Sequence, residues 1–162
     1  MSRKPPKGKS LAEVRPDLAK EWHPTKNGDL APFFIRGGSA KKVWWKCDKG
    51  YDHEYEARIS DRNYHNSGCP VCTNRKIVKS NCLLTTHPDL VKEWLHAKNG
   101  NLNPDNLGAG STLKVWWKCN KADDHIWEAQ IIRRTFDGSN CPICAGKKAV
   151  KSNCLETTHP QI

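Results

Sequence analysis

Cysteine and histidine side chains recur in this chain at spacings that suit a metal ion. Each of two copies reads C-x5-H-x15-C-P-x-C, and the second copy lies 72 residues after the first. The candidate ligands are Cys47, His53, Cys69 and Cys72 in the first copy and Cys119, His125, Cys141 and Cys144 in the second. Three thiolates and one imidazole complete a four-coordinate shell, and such sulfur-rich shells select zinc, with iron as the alternative. The spacing therefore predicts two Zn2+ ions, one per copy.

Other uses of these cysteines explain less of the pattern. Disulfides would require an oxidising compartment and would leave the paired histidines unexplained. A redox C-x-x-C pair would need neither the distant cysteine nor a second copy. Cys82 and Cys154 correspond to each other but align with Ser10 in the first copy, so we interpret them as small buried side chains. The histidines without a histidine in the other copy are predicted to lie at the surface: His23, His65 and His96.

The offset of 72 residues extends through most of the chain. V-W-W-K-C at 43–47 returns at 115–119, and about half of the residues in 10–79 are identical in 82–151 without a gap. Such self-similarity indicates a tandem repeat whose unit is about 70 residues long. A residue that the chemistry requires is expected in both copies, so the repeat acts as an internal control.

Local patterns place the ligands on short elements. K-K-V-W-W-K-C has the composition of a strand, and residues 53–59 alternate in polarity, so Cys47 ends one strand and His53 opens the next. The C-P-x-C segment leads into a short basic stretch that we predict to be helical, 73–79 in the first copy and 145–151 in the second. A hairpin with two ligands, followed by two ligands at the start of a helix, is the layout of a treble clef.

A further short helix is predicted upstream of each hairpin. Pro16 suits the first position of this helix, and Leu18 and Trp22 then lie four residues apart on one face. We expect both side chains to pack against the zinc module.

The patterns together predict small α+β domains stabilised by zinc, arranged as tandem treble-clef zinc fingers with a β-hairpin and short helices in each. Units of this size need a metal or a disulfide because they bury little apolar surface. We predict a basic flexible tail over 1–10, a first module over 11–80, a second over 81–152 and the start of a truncated third repeat over 153–162.

The combined motifs also resemble a known family. The series L-x4-P-D-L-x-K-E-W, K-N-G-x-L-x-P, G-S, V-W-W-K-C, H-x-[YW]-E-A and C-P-x-C resembles the "probable zinc-ribbon" treble-clef repeat family, whose members often carry tandem copies. The resemblance runs from Leu11 to the end of the chain and implies a treble-clef fold with the same two ligand sets. Members can lie beside nuclease-like domains, but the family has no assigned biochemical activity. This chain departs from the family pattern because Asp52 and Asp124, not glycine, precede the ligand histidines.

Charge and hydropathy narrow the class of partner. The formal net charge is +10, and two Cys3His zinc sites would lower it to about +8 because three thiolates outweigh one ion. A basic protein of this kind suits a polyanionic partner. No stretch approaches the roughly 18 apolar residues of a membrane span, and the N-terminus lacks the apolar run of a secretory signal. We expect a reducing intracellular compartment (cytoplasm, nucleoid or nucleus) and neither a membrane nor a small-molecule substrate as partner.

We therefore predict a non-catalytic zinc module that binds nucleic acid, DNA or RNA, mainly through phosphate contacts. The candidate cations are Lys42, Lys46, Arg62, Arg75, Lys76, Lys79, Lys114, Lys118, Arg134, Lys147, Lys148 and Lys151. Neighbours in a strand face opposite ways, so one tryptophan of each V-W-W-K-C belongs in the core. The other, Trp44 or Trp116, either stacks on a base or packs within the module.

Two other functions remain open from sequence. A protein-interaction or assembly module, within a ribonucleoprotein or another large complex, is the first alternative, since a fold alone does not decide function. An accessory domain of a nuclease system is the second. An enzyme is not expected, because no histidine beyond the ligand set is present in both complete copies to act as a catalytic base.

Overall fold

The computed structural model describes residues 5–154, so residues 1–4 of the predicted tail and 155–162 of the predicted third repeat lie outside the described residues. The chain forms two compact units, Met1–Lys76 and Ile77–Ile162. Residues 77–80, which we assigned to the first module, lie in the second unit. In that unit the Val78 amide donates a hydrogen bond to Asn81 Oδ1 at 2.7 Å.

The two units share two upstream helices, a 3-10 turn, a hairpin and a closing helix in the same order, and within residues 5–154 the second unit has one further short helix and one further 3-10 turn. The first unit contains α1 (Leu11–Val14), α2 (Pro16–Lys20), β1 (Lys42–Lys46), β2 (Glu54–Arg58) and α3 (Ile59–Tyr64), with a 3-10 turn at Pro32–Phe34. The second contains α4 (Leu83–Thr86), α5 (Pro88–Val91), α6 (His96–Asn99), β3 (Lys114–Lys118), β4 (Ile126–Gln130) and α7 (Ile131–Thr135), with 3-10 turns at Pro104–Asn106 and Lys151–Asn153. The predicted α+β class is confirmed. No helix within residues 5–154 is both long and apolar enough to cross a bilayer.

Each antiparallel hairpin buries alternate side chains, as the strand pattern predicted. In β1 and β2, Val43 pairs with Ala57 and Trp45 pairs with Tyr55. Val43, Trp45 and Tyr55 are buried, Trp45 completely, whereas Trp44 on the opposite face is half-buried. The equivalent buried residues of β3 and β4 are Val115, Trp117 and Trp127.

The segment after α2 pairs with the free edge of β1. The Lys46 amide donates to the Glu21 carbonyl at 2.7 Å, and Trp22 forms a bridge with Trp45. The two indole rings meet edge to face with centroids 5.6 Å apart, an arrangement that aromatic quadrupoles favour. Leu18 is buried in the same unit. The predicted short helix is present, but it ends at Lys20, so Trp22 packs from the bridge after the helix and not from the same helical face as Leu18.

An asparagine side chain extends this edge further. Asn27 Nδ2 donates to the Trp44 carbonyl at 2.9 Å, and the Trp44 amide donates to Asn27 Oδ1 at 2.8 Å. The side-chain amide thus replaces a peptide unit of a neighbouring strand. Gly28 follows with φ of +56°, a conformation that glycine adopts without strain. Asn99 repeats both bonds with Trp116 in the second unit.

A buried arginine lies beside each core tryptophan. Arg62 forms two 2.9 Å hydrogen bonds to Glu21, and its guanidinium lies 4.8 Å from the centre of the Trp45 ring. In the second unit, Arg134 pairs with Glu93 at 2.6 Å. The arginines are 4% and 8% exposed, so each ion pair joins the end of the upstream helix to the helix after the hairpin inside the module.

His23 corrects one prediction. We placed it at the surface, but it is 5% exposed, with Nδ1 accepting from the Lys26 amide at 3.1 Å and Nε2 lying 3.2 Å from Glu54 Oε1. The second copy has Leu95 and Ile126 at the two equivalent positions. A polar pair in one unit is thus replaced by an apolar pair in the other. The prediction was wrong because it compared His23 with Leu95 alone. It did not consider that the partner, Glu54, changes to an apolar residue at the same time.

The asparagine bonds lead to a stability prediction. Asn99→Ala removes both bonds and leaves the Trp116 amide without this acceptor, so the free energy of unfolding should fall by about 1–3 kcal/mol. Denaturant unfolding of the chain at a fixed zinc concentration measures this loss. Asn101→Ala, at an exposed position in the same loop, is the matched control and should change the free energy little. Equal effects of the two substitutions would contradict the role given to Asn99.

The arginine–glutamate pairs lead to a second stability prediction. Glu93→Ala strands the buried Arg134 guanidinium and should cost about 2–3 kcal/mol. Asp89→Ala breaks the Lys92–Asp89 pair, whose side chains are 77% and 90% exposed, and should cost less than about 1 kcal/mol. The same unfolding experiment compares both substitutions. If both substitutions lower the free energy of unfolding by the same amount, the buried ion pair contributes no more to stability than a surface ion pair.

Candidate metal centre

The hairpin brings two of the four candidate ligands of each module together. Cys47 directly follows β1 and His53 directly precedes β2, and the Cys47 amide donates to the His53 carbonyl at 3.0 Å. The hydrogen bonds between the two strands therefore continue as far as Cys47 and His53 and fix the backbone at both residues. Cys119 and His125 form the same bond at 3.0 Å in the second module.

The C-P-x-C segment forms a tight turn that presents the other two ligands. The Thr73 amide donates to the Cys69 carbonyl, and the Arg75 amide donates to the Pro70 carbonyl. The next residues continue as turns, so the helix predicted over 73–79 and 145–151 is wrong. Asn74 and its counterpart Gly146 have φ of +55° and +68°, and this left-handed conformation stops a right-handed helix at that point.

The ligand atoms of the first module lie at the corners of a small tetrahedron. Cys47 Sγ is 3.7 Å from Cys72 Sγ, and His53 Nδ1 is 3.3 Å from Cys72 Sγ and 3.8 Å from Cys69 Sγ. Zinc bonds of about 2.3 Å to sulfur and about 2.0 Å to nitrogen, at tetrahedral angles, place neighbouring ligand atoms roughly 3.5–3.8 Å apart. The donor set therefore fits one zinc ion in size and chemistry.

The second module repeats this geometry. Cys119 Sγ lies 3.7 Å from Cys144 Sγ, and His125 Nδ1 lies 3.2 Å from Cys144 Sγ and 3.8 Å from Cys141 Sγ. In both clusters all four ligand atoms lie within 4.8 Å of one another. Each module is thus arranged to hold one zinc ion, as the spacing predicted.

The cysteine side chains of each cluster need a nearby cation to be stable as thiolates. Desolvation, reinforced by the neighbouring cysteines, raises the pKa of the Cys72 thiol to about 12 and that of Cys144 to about 11, although both side chains reach solvent. Crowded thiolates repel one another, and a divalent cation removes that penalty when it binds. We therefore expect metal binding and folding to be coupled in each module.

An aspartate ties the following segment to the second metal centre. Asp124 accepts hydrogen bonds from the Ser152 hydroxyl at 2.7 Å and from the Ser152 amide at 2.8 Å. The hydroxyl bond, with the amide bond after it, lowers the pKa of the Asp124 carboxyl. The residue before the ligand histidine thus holds the segment that follows the C-P-x-C turn of its own module. Sequence analysis noted this aspartate as a departure from the family pattern but assigned it no role.

Cys82 and Cys154 lie outside both clusters. Cys82 is 1% exposed and precedes α4, with Sγ 3.4 Å from Thr85 Oγ1. Ser10 takes the same place before α1 and is also buried, so this position begins a helix in both units. Cys154 is half-buried, with Sγ 3.3 Å from the Lys151 carbonyl.

The predicted nucleic-acid contacts fall into three groups. Most of the cations lie at the surface: Lys42, Lys46, Arg75, Lys76, Lys79, Lys114, Lys147, Lys148 and Lys151. Lys118 is half-buried and lies 2.7 Å from Asp123. Arg62 and Arg134 are engaged inside their modules, so we leave these two out of the proposed contact surface.

Trp44 and Trp116 are half-buried, and each carries a lysine on its ring. Lys26 Nζ lies 4.4 Å from the centre of the Trp44 ring, and Lys98 Nζ lies 4.2 Å from that of Trp116. Cation–π attraction holds each ammonium at a defined place on the surface. In the described structure, one face of each ring is therefore occupied by a lysine.

The ligand assignment leads to a prediction about zinc content. Cys141→Ser should release one of the two zinc ions and unfold the second module only, because folding of so small a unit depends on the metal. Elemental analysis and circular dichroism of the purified chain measure both effects. Cys82→Ser is the matched control and should retain two zinc ions. Loss of a zinc ion from the Cys82 variant would show that the ligand set is wrong.

Comparison with known families places this geometry in context. The family model described as "Probable Treble clef zinc finger domain" matches residues 18–75 and 90–147. Each match contains one complete Cys3His set. A comparison with curated proteins found no match. Because the two matches together cover well over half of the chain, this protein belongs to the probable treble clef zinc finger family, with two tandem copies that are each arranged to hold one zinc ion.

Proposed function

We propose that the chain is a non-catalytic zinc module that binds nucleic acid through its phosphate backbone. The observation that carries the proposal is that exposed cations follow each C-P-x-C turn in the sequence. They are Arg75 and Lys76 at the end of the first unit, and Lys147, Lys148 and Lys151 in the second. Lys79 is also exposed, but it lies in the second unit. Zinc bound by the two cysteines would fix this turn, so cations that follow it in the chain are well placed to contact neighbouring phosphates.

The charge of the whole chain supports the same proposal. The net charge of +10 exceeds the charge that the zinc sites remove, so the zinc-loaded chain is still strongly basic. Lys98, held over the Trp116 ring, adds a fixed cation in the second module, whereas Lys26 in the first is paired with Glu54 at 2.6 Å. Two linked modules that each bind weakly would bind one strand more tightly, because the second contact is intramolecular.

The histidine geometry supports a non-catalytic role. A nuclease that uses histidine as its general base would need that side chain to accept a proton from water. His53 and His125 instead direct Nδ1 at the thiols of their own clusters, at 3.3 Å and 3.2 Å from Cys72 and Cys144. Zinc in a complete Cys3His shell has no open position for a substrate.

Salt dependence of binding provides the test. The zinc-loaded chain is titrated into labelled DNA and RNA of mixed sequence at about 50 and about 200 mM salt, and affinity should fall steeply between them. Replacing Lys147 and Lys148 together by alanine should reduce the slope of log affinity against log salt by roughly 0.7–0.9 per lost contact. Lys92→Ala removes an exposed cation far from the turn in sequence and is the matched control.

Two results would contradict the proposal. The first is the absence of binding at the lower salt concentration by a chain that contains two zinc ions. The second is binding whose affinity does not change with salt. Either result would favour the alternative of a protein-interaction module, for which a pull-down from the native source is the next experiment.

A further inference from the structure

We propose that a groove on the first unit binds single-stranded nucleic acid by stacking bases on aromatic side chains. The inference rests on the proposed function and adds the form of nucleic acid and the module that recognises it. The groove, here called the Phe34 groove, has a volume of about 980 Å3. Its side-chain lining is mostly apolar or basic: Pro5, Pro6, Lys9, Val14, Leu30, Phe34, Ile35, Arg36, Lys41 and Tyr64.

The Phe34 groove combines exposed aromatic rings with positive charge. Phe34 is 48% exposed and Tyr64 is 67% exposed. Among the described residues that line the groove, Lys9, Arg36 and Lys41 are cationic and none is acidic. Exposed apolar side chains that form one groove beside cations mark interaction sites on proteins, unlike apolar side chains scattered singly over a surface.

These two features together match one class of partner. A single strand exposes the faces of its bases, which stack on aromatic rings, and its phosphates, which attract cations. A duplex keeps its base faces inside the stack, so rings in a groove gain nothing from it. The volume corresponds to the upper range of small-molecule sites and gives room for individual nucleotides rather than for a double helix.

Two glycines form a bare backbone surface beside Tyr64. A Cβ built on Gly38 would lie 2.7 Å from Tyr64 Oη, and one built on Gly37 would lie 2.8 Å from Val14 Cγ2. These distances are too short for a Cβ atom. Glycine at both positions therefore allows Val14 and Tyr64 to pack directly against the backbone. The Tyr64 ring thus lies against the backbone at the edge of the groove.

The second copy has lost this combination. Asp105 and Asn106 stand at the positions of Phe33 and Phe34, while Gly108 and Leu113 stand at those of Arg36 and Lys41. Phe136 keeps an aromatic ring at the position of Tyr64 and is 71% exposed. The zinc ligands are the same in both copies, so these changes are not required for metal binding. Gly108 does serve the fold of the second unit, because a Cβ there would lie 2.7 Å from Ile77 Cδ1. We therefore assign the recognition of single-stranded nucleic acid to the first unit. The equivalent positions of the second unit serve as sites for control substitutions.

The experiment compares single and double strands on the full zinc-loaded chain. Phe34→Asn introduces the residue that the second copy carries, at an exposed position that the fold does not require. We expect about tenfold weaker binding of a short labelled oligothymidylate or oligouridylate, and less than about a twofold change for a DNA duplex. Asn106→Ala, the equivalent site in the second unit, should change neither affinity. Zinc content and the circular dichroism spectrum verify that each variant is folded.

Ultraviolet cross-linking of the wild-type chain gives a second readout that needs no variant. Cross-linked peptides identified by mass spectrometry should contain Phe34 or Tyr64. Unchanged single-strand affinity of Phe34→Asn, with cross-links elsewhere, would overturn the groove assignment and leave salt-dependent phosphate binding intact. Equal losses for single strand and duplex would also overturn the stacking role. If the wild-type chain binds no nucleic acid at all, the proposed function fails, and the assignment of the groove fails with it.

Discussion

Coordination of one zinc ion by four side chains is the interaction on which each module depends. A unit of about 70 residues buries little apolar surface to offset the loss of chain entropy, and a bound metal ion adds stability that so small a core often lacks. The ion joins the hairpin, which carries Cys47 and His53, to the turn that carries Cys69 and Cys72. Because desolvation, reinforced by the neighbouring thiols, raises the pKa of Cys72, the thiolate form of the cluster is unfavourable until the cation binds. The ligands and the fold therefore form together.

The rest of the module is organised around the strand that ends at the first ligand. On one face of β1 the core tryptophan meets a second tryptophan edge to face and an arginine that is paired with glutamate. Along the free edge of β1 an asparagine side chain supplies the hydrogen bonds of a missing strand. The second copy repeats all of these contacts, so they belong to the fold. This explains why V-W-W-K-C, K-N-G and P-D-L-x-K-E-W recur together.

The two copies differ where the fold leaves freedom. The pair formed by His23 and Glu54 is replaced by leucine and isoleucine, a change that keeps the site filled. The Phe34 groove has no equivalent basic and aromatic lining in the second copy. The two modules share one fold but have different surfaces, so they can contribute differently to binding. The second module would contribute contacts to phosphates, and the first would add contacts to bases. That division is our proposal, and it follows from comparing positions that the metal and the core do not constrain.

The sequence alone determined three features of this protein. They are the spacing of the metal ligands, the tandem repeat and the alternation of buried and exposed side chains in the strands. Metal ligands need particular side chains at particular separations, and a two-residue period follows from the pleat of a strand, so both are visible in one dimension. The helix expected after each C-P-x-C was wrong, because left-handed residues at Asn74 and Gly146 end the turn. Burial of His23, Arg62 and Arg134 depended on partners distant in sequence, such as Glu21, which is 41 residues from Arg62. Tertiary structure alone decided these points, and it alone gathered the Phe34 groove from segments spread over residues 5–64, because contacts between distant segments leave no periodic signal.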